Sequence, residues 1–230
     1  MELADGVASQ HRRVAWVKHG LIACIVLAVV ALFADIAQYA LLGDLAAGVD
    51  VDPSTIEAND SRQLLFAWLQ NGAFIVTAVF WLVWFHRAYG NLKLLGRKHT
   101  KYGPGWAVGY WFVPVVNLVM PYLLTRETWL KSASGSPKPG VPRASRAPRL
   151  GAWWTFYLFN GASNRFAAFL VRAAETVDDW ILLTQLATVG DVLIIVASVL
   201  AFTVVSSIDR AQVEAVRAAA AEPALVPSTV

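Results

Sequence analysis

The apolar residues of this chain come in long blocks, interrupted at intervals by polar residues. A helix needs about 20 apolar residues to cross roughly 30 Å of hydrocarbon. Four blocks meet that length: residues 20–42, 64–85, 150–171 and 181–205. Each predicts a spanning helix. A fifth apolar stretch, residues 105–124, holds Asn117 between Pro114 and Pro121. Each proline removes a helical donor and disturbs a turn, so this stretch is expected to be broken. The pattern after residue 85 stays helical as far as Gly96, a plausible C-terminal stop. The last block is expected to run on to Ala221, before Glu222-Pro223. The first block follows His11-Arg12-Arg13 and Lys18, as the core of a signal peptide would. Its apolar run is longer than such a core and no A-x-A site follows it, so it reads as a retained anchor.

Composition agrees with the blocks. Of 230 residues, 57% are hydrophobic and 15% charged, and the mean hydropathy is +0.51. Soluble domains carry about 25% charged residues. The single Cys24 excludes a disulfide framework or a multi-Cys metal site. A net charge of +3 is too small to suggest a nucleic-acid partner.

The position of the charges adds more than their sum. The segment of residues 43–63 holds five acids against Arg62 alone, whereas residues 87–101 hold five Lys/Arg and no acid. By the positive-inside rule, the N-terminus and residues 87–101 face the cytoplasm and the acidic loop faces out. If residues 105–124 enter and leave on one face, the cytoplasmic side collects sixteen Lys/Arg and the outer side two. If they span, each side collects nine. The expected fold is therefore an all-α polytopic bundle: four spans plus one Pro-broken re-entrant or interfacial segment, with both termini cytoplasmic. Five spans, one of them kinked, is the alternative. Residues 1–19 form a cytoplasmic segment, 20–212 the membrane domain with a flexible basic loop at 132–148, and 213–230 a cytoplasmic tail. Trp16, Trp84, Trp106, Trp129, Trp153 and Trp154 fall near the inner face and Trp68 and Trp180 near the outer, as a headgroup belt would.

Ionisable groups inside a bilayer are costly and default to functional candidates. Asp35 and Arg165 lie at similar depths, which predicts that they approach each other. Asp191 lies near the midplane with no matching cation; Thr188 and Asn117 are its candidate partners. Asn117 could satisfy carbonyls freed by the prolines or line a cavity. Glu127 is the sole acid between Asp60 and Glu175, and it sits among the eleven Lys/Arg of residues 87–149 at the expected inner surface. It is expected to pair with Arg87 and clamp the broken segment to the second span. Arg210 and Glu214 are spaced to pair on one helix face. Asp52-Pro53-Ser54 reads as a turn, with Ser61 capping the second helix. Ala197 and Ala201 are spaced for close helix packing. His86 and His99 lack metal-site spacing, and no P-loop, GxSxG or HExxH pattern is present. No catalytic group, cofactor or metal is therefore expected.

The run Trp84-Phe85-His86-Arg87-Ala88-Tyr89-Gly90-Asn91-Leu92, the stretch from Gly105-Trp106 to Pro114-Val115-Val116-Asn117-Leu118, then Pro121-Tyr122, Glu127-Thr128-Trp129 and the later Trp153-Trp154 pair resemble the bacterial multi-pass membrane proteins of domain-of-unknown-function family 4328. The resemblance extends from the first span to about Gln212. It implies a bacterial inner-membrane location. It marks Arg87, Asn91, Trp106, Pro114, Asn117, Pro121 and Glu127 as pattern positions without assigning them chemistry. Some relatives are joined to signalling domains. The expected function is a non-catalytic sensing, regulatory or scaffold component. Its partners would be the bilayer, anionic lipid heads at the basic face, and a second copy or another membrane protein. The alternative is a small-solute or ion permease or channel subunit acting as an oligomer.

Overall fold

The computed structural model describes residues 2–97, 100–133 and 149–221, and every regular element among them is helical. These are α1 (Glu2–Ala46), α2 (Pro53–Leu94), α3 (Pro104–Gly109), α4 (Met120–Ala133), α5 (Leu150–Leu170) and α6 (Val177–Ala221), with short 3-10 turns at Val116–Leu118 and Val171–Ala173. Most of the basic loop expected at 132–148, His99, and the tail beyond Ala221 lie outside the described residues.

Three helices are long and apolar enough to cross a membrane: α1, α2 and α6. Their exposed side chains suit hydrocarbon, with Phe33 68%, Ile36 67% and Trp68 70% accessible. The block at 150–171 forms α5 as expected. Its 21 residues would reach about 31 Å, but Asn160, Asn164 and Arg165 interrupt its apolar run and it is not among those three.

The helix ends follow local chemistry. At the end of α2, the Gly96 N–H donates to the Lys93 carbonyl (3.0 Å) and the Arg97 N–H to that of Leu92 (2.9 Å). Gly96 has φ +69°, a conformation that glycine adopts without steric cost. Helix α2 starts eleven residues earlier than its apolar block. Asp52 rather than Ser61 caps it: Asp52 Oδ1 accepts the Ser54 N–H at 2.9 Å, and Pro53 occupies the first helical position. Ser61 lies within the helix. Thr176 caps α6 in a reciprocal box, its Oγ1 accepting the Asp179 N–H while Asp179 Oδ2 accepts the Thr176 N–H at 2.9 Å.

The proline-bearing stretch is broken as expected. Six residues of α3 give way to turns, and Val115 stands at φ +65°, a strained conformation for a β-branched residue. Pro121 then sits in the first turn of α4, where its missing N–H costs nothing.

The chain divides into two compact units. Unit 1 holds Met1–His19, Ala78–Gly151 and Leu200–Val230; unit 2 holds Gly20–Thr77 and Ala152–Val199. The core of unit 1 is bulky. Trp84, Phe85, Tyr89, Leu92, Leu124, Val204, Val205 and Ile208 are at most 1% exposed, and the Trp81 ring meets those of Trp84 and Trp111 at 5.1 and 6.1 Å. Trp84 and Trp129 are thus buried packing residues instead of belt residues, and so are Trp153 and Trp154 of unit 2; Trp16, Trp106, Trp68 and Trp180 are exposed. Besides that tryptophan pair, unit 2 buries a set of small residues: Cys24, Ala28, Ala31, Ala34, Ala197 and Ser198. Small side chains let helices approach closely. A Cβ on Gly20 would lie 2.6 Å from Thr77 Oγ1, so α1 and α2 meet where glycine leaves room.

Candidate functional site

Each unit contains its own assembly of buried polar groups. In unit 2 they lie on seams with the spacing of alternating three and four residues that faces a neighbouring helix. On α1 the seam runs through Cys24, Ala28, Ala31, Asp35 and Gln38; on α2 through Gln63, Gln70 and Thr77; on α6 through Thr184, Thr188 and Asp191. Gln38 Nε2 donates to Thr184 Oγ1 (3.0 Å), Thr188 Oγ1 to Asp35 Oδ2 (3.0 Å), and Gln63 Nε2 to the Ala34 carbonyl (3.3 Å). Gln70 Nε2 donates to Asp191 Oδ1 at 2.7 Å. From α5, Asn160 Nδ2 donates to the Gly190 carbonyl (2.9 Å) and Asn164 Nδ2 to Asn160 Oδ1 (3.2 Å).

These contacts correct two expectations. Asp35 meets Thr188, not Arg165. Equal depth sets the level of two residues along their helices but not the direction each faces. Arg165 is exposed and folds back along its own helix, its Nη1 lying 3.5 Å from where a Gly161 Cβ would stand. Asp191 meets Gln70, with neither Thr188 nor Asn117 bonded to it. Gln70 went unnoticed because it is uncharged. Its seven-residue spacing from Gln63 and Thr77 was the available signal.

In unit 1, Gln212 of α6 is 1% exposed. Its Nε2 donates to the Ala88 carbonyl (2.8 Å) and to Ser132 Oγ (3.1 Å), and its Oε1 accepts from Asn91 Nδ2 (3.3 Å). One amide thus joins α6, α2 and α4. Gln212 continues the buried stripe of Val205 and Ile208, so a polar residue on an apolar face was its trace in the sequence. Glu127 is the second node. It accepts from Lys131 Nζ (2.6 Å), from the Tyr89 hydroxyl (3.1 Å) and from the Lys101 N–H (3.4 Å), while the Tyr89 oxygen accepts the Tyr102 N–H (3.3 Å). The expected clamp between α4 and α2 exists, but Tyr89 forms it and Lys131 supplies the cation. Arg87 is exposed and unpaired with Glu127. A cation one turn away on the same helix reaches the carboxylate at less entropic cost.

Asn117 is half-buried, with its backbone N–H bonded to the Val113 carbonyl (2.9 Å). Pro114 is exposed and Pro121 buried. Arg210 Nε turns to the Ser206 carbonyl at 3.2 Å instead of to Glu214, and Ala197 and Ala201 are buried as close-packed residues would be. Among the described residues, no group of three His, Cys, Asp or Glu is arranged to hold a metal ion.

A family model described as "Domain of unknown function (DUF4328)" matches residues 47–210. No curated protein and no solved structure matches the chain.

Proposed function

Since the chain belongs to the domain-of-unknown-function family 4328, whose description names no activity, we propose a role from its own residues: a non-catalytic sensing, regulatory or scaffold component of the bacterial inner membrane. In this reading α1, α2, α5 and α6 span, residues 105–124 enter and leave on the cytoplasmic face, and both termini are cytoplasmic. The Lys/Arg balance supports that topology. So does the six-residue length of α3, which is too short to cross. The cytoplasmic face, with Arg12, Arg13, Arg87 and the basic residues that follow α4, is the contact surface for anionic lipid heads, at about 1 kcal/mol per charge near the surface. A membrane protein partner or a second copy shares that face.

The observation that carries this role is the bonding of Glu127 and Asn91 to Tyr89, Lys131 and Gln212 across helices. Polar positions spent on cross-links between helices serve to hold a surface in shape, not to turn over a substrate. A second reading, a permease or channel subunit acting as an oligomer, is favoured by the Gln70–Asp191 bond in a seam of unit 2. Proteoliposomes separate the two. The scaffold role expects no solute or ion flux above protein-free vesicles. Flux that Asp191→Asn abolishes would establish the permease instead.

A further inference from the structure

The first turns of α2 carry two faces of opposite chemistry. One borders a hollow lined by Glu57, Asp60 and apolar neighbours. The other borders a separate hollow of about 450 Å³ whose lining includes Ala37 and Leu41 of α1 and Ser54, Thr55, Asn59 and Arg62 of α2. Among the described residues no acid lines this second hollow, although residues 43–63 hold five acids. Its one formal charge is Arg62, the sole cation of that segment.

Arg62 is held in place and largely unspent. Its Nη2 donates to Asn59 Oδ1 (2.5 Å), and Asn59 is itself 7% exposed. Its Nε is buried and lacks a hydrogen-bond partner among the described residues. A guanidinium carries five N–H donors in a planar fork that matches an oxyanion. Fixing one of them orients the rest. The Thr55 hydroxyl adds a neutral donor, while the Ser54 N–H and hydroxyl are both engaged by the Asp52 carboxylate. Ala37 and Leu41 are apolar, and the hydrophobic block of α2 begins two residues after Arg62. Donors therefore lie at the polar end of the hollow and hydrocarbon-compatible surface beside them.

We propose that this hollow binds an anionic amphiphile, its phosphate or carboxylate held by Arg62 with Asn59 and Thr55 and its acyl chain against Ala37 and Leu41. The site is separate from the seams and from the basic face invoked above, so its failure leaves the proposed role standing.

The test uses the full-length protein in nanodiscs of phosphatidylcholine, with dodecyl phosphate, dodecanol and inorganic phosphate as probes and equilibrium binding as the readout. Dodecyl phosphate is expected to bind saturably, and about tenfold or more tightly than either other probe. Arg62→Gln should weaken it about tenfold, the worth of a lost charge-assisted contact, while Glu57→Gln on the opposite face leaves it unchanged. Equal binding of dodecanol would remove the role of the charge, and equal binding of inorganic phosphate that of the chain; either overturns the proposal. So does unchanged binding to Arg62→Gln. If that variant does not fold, the comparison of probes on the unmodified protein decides alone.

Discussion

The two units bury polar groups by different means. In unit 1 the buried amides and hydroxyls share partners. Gln212 bonds Asn91, Ser132 and the Ala88 carbonyl, Glu127 accepts from Lys131, Tyr89 and the Lys101 N–H, and bulky aromatic side chains fill the space around them. In unit 2 the contacts run largely pairwise along helix seams, the carboxylates Asp35 and Asp191 meet a hydroxyl and an amide, and small residues line the α1 seam. A shared node loses several bonds when one residue is removed; a paired seam loses one. The difference predicts brittle behaviour in the first unit and graded behaviour in the second.

The largest effect should come from Gln212→Leu. It removes the bonds to Asn91, Ser132 and the Ala88 carbonyl at once, and a buried group that loses its partner costs about 1–3 kcal/mol. A loss of about 3 kcal/mol in unfolding from detergent is expected; a loss no greater than that of a single seam bond would erase the distinction between the units.

Gly20→Ala comes next. Its methyl would stand 2.6 Å from Thr77 Oγ1, and overpacking of this kind costs about 1–3 kcal/mol. Thr77→Ser keeps the hydroxyl and removes only a methyl, so it should not relieve the clash, whereas Thr77→Ala should recover most of the loss. Thermal unfolding of Gly20→Ala alone and with each Thr77 substitution distinguishes a tight helix contact from a loose one.

The seam bond between Gln70 and Asp191 should be worth less. Bonds between membrane helices average about 0.6 kcal/mol in double-mutant cycles, because the separated helices find other partners. A cycle of Gln70→Leu and Asp191→Leu should return a coupling of that order. A coupling above about 2 kcal/mol would make the seam as brittle as the Gln212 node.

The smallest effect concerns the α2 cap. The Ser54 N–H bonded to Asp52 holds its carboxyl below the usual carboxylate range. A lowered folded pKa means that the cap stabilises above the unfolded value, about 3.9, and that this contribution is lost as pH falls through the lowered folded value. Hydrogen exchange at the Ser54 amide should therefore accelerate in acid relative to its intrinsic rate, and Asp52→Asn should remove that pH dependence while keeping much of the cap. An identical acid profile in the variant would assign the change to another group.

The chain order of elements was legible without tertiary contacts, and so were several ends. Gly96 stops α2 and α6 runs to Ala221, because apolar runs, glycine and proline act within a turn or two of themselves. Pro114, Asn117 and Pro121 announced a break, and the chain there is turns and a 3-10 helix. The start of α2 was missed: the acidic residues before Leu64 read as loop, yet Asp52 and Pro53 form a complete helix start. Partners were another matter. Arg87 for Glu127 and Arg165 for Asp35 followed from charge and depth, and the structure brings Tyr89, Lys131 and Thr188 instead.

Charge and hydropathy along the chain thus determined that helices form, where they break, and which are apolar enough for lipid. Tertiary structure decided which faces meet. A helix carries a side chain to a given height by residue count alone, but its rotation about the axis is set by packing against neighbours, and a hydrogen bond of about 3 Å requires both. That is why neutral residues such as Gln70, Tyr89 and Gln212 became the partners of the charged and polar positions that stood out first.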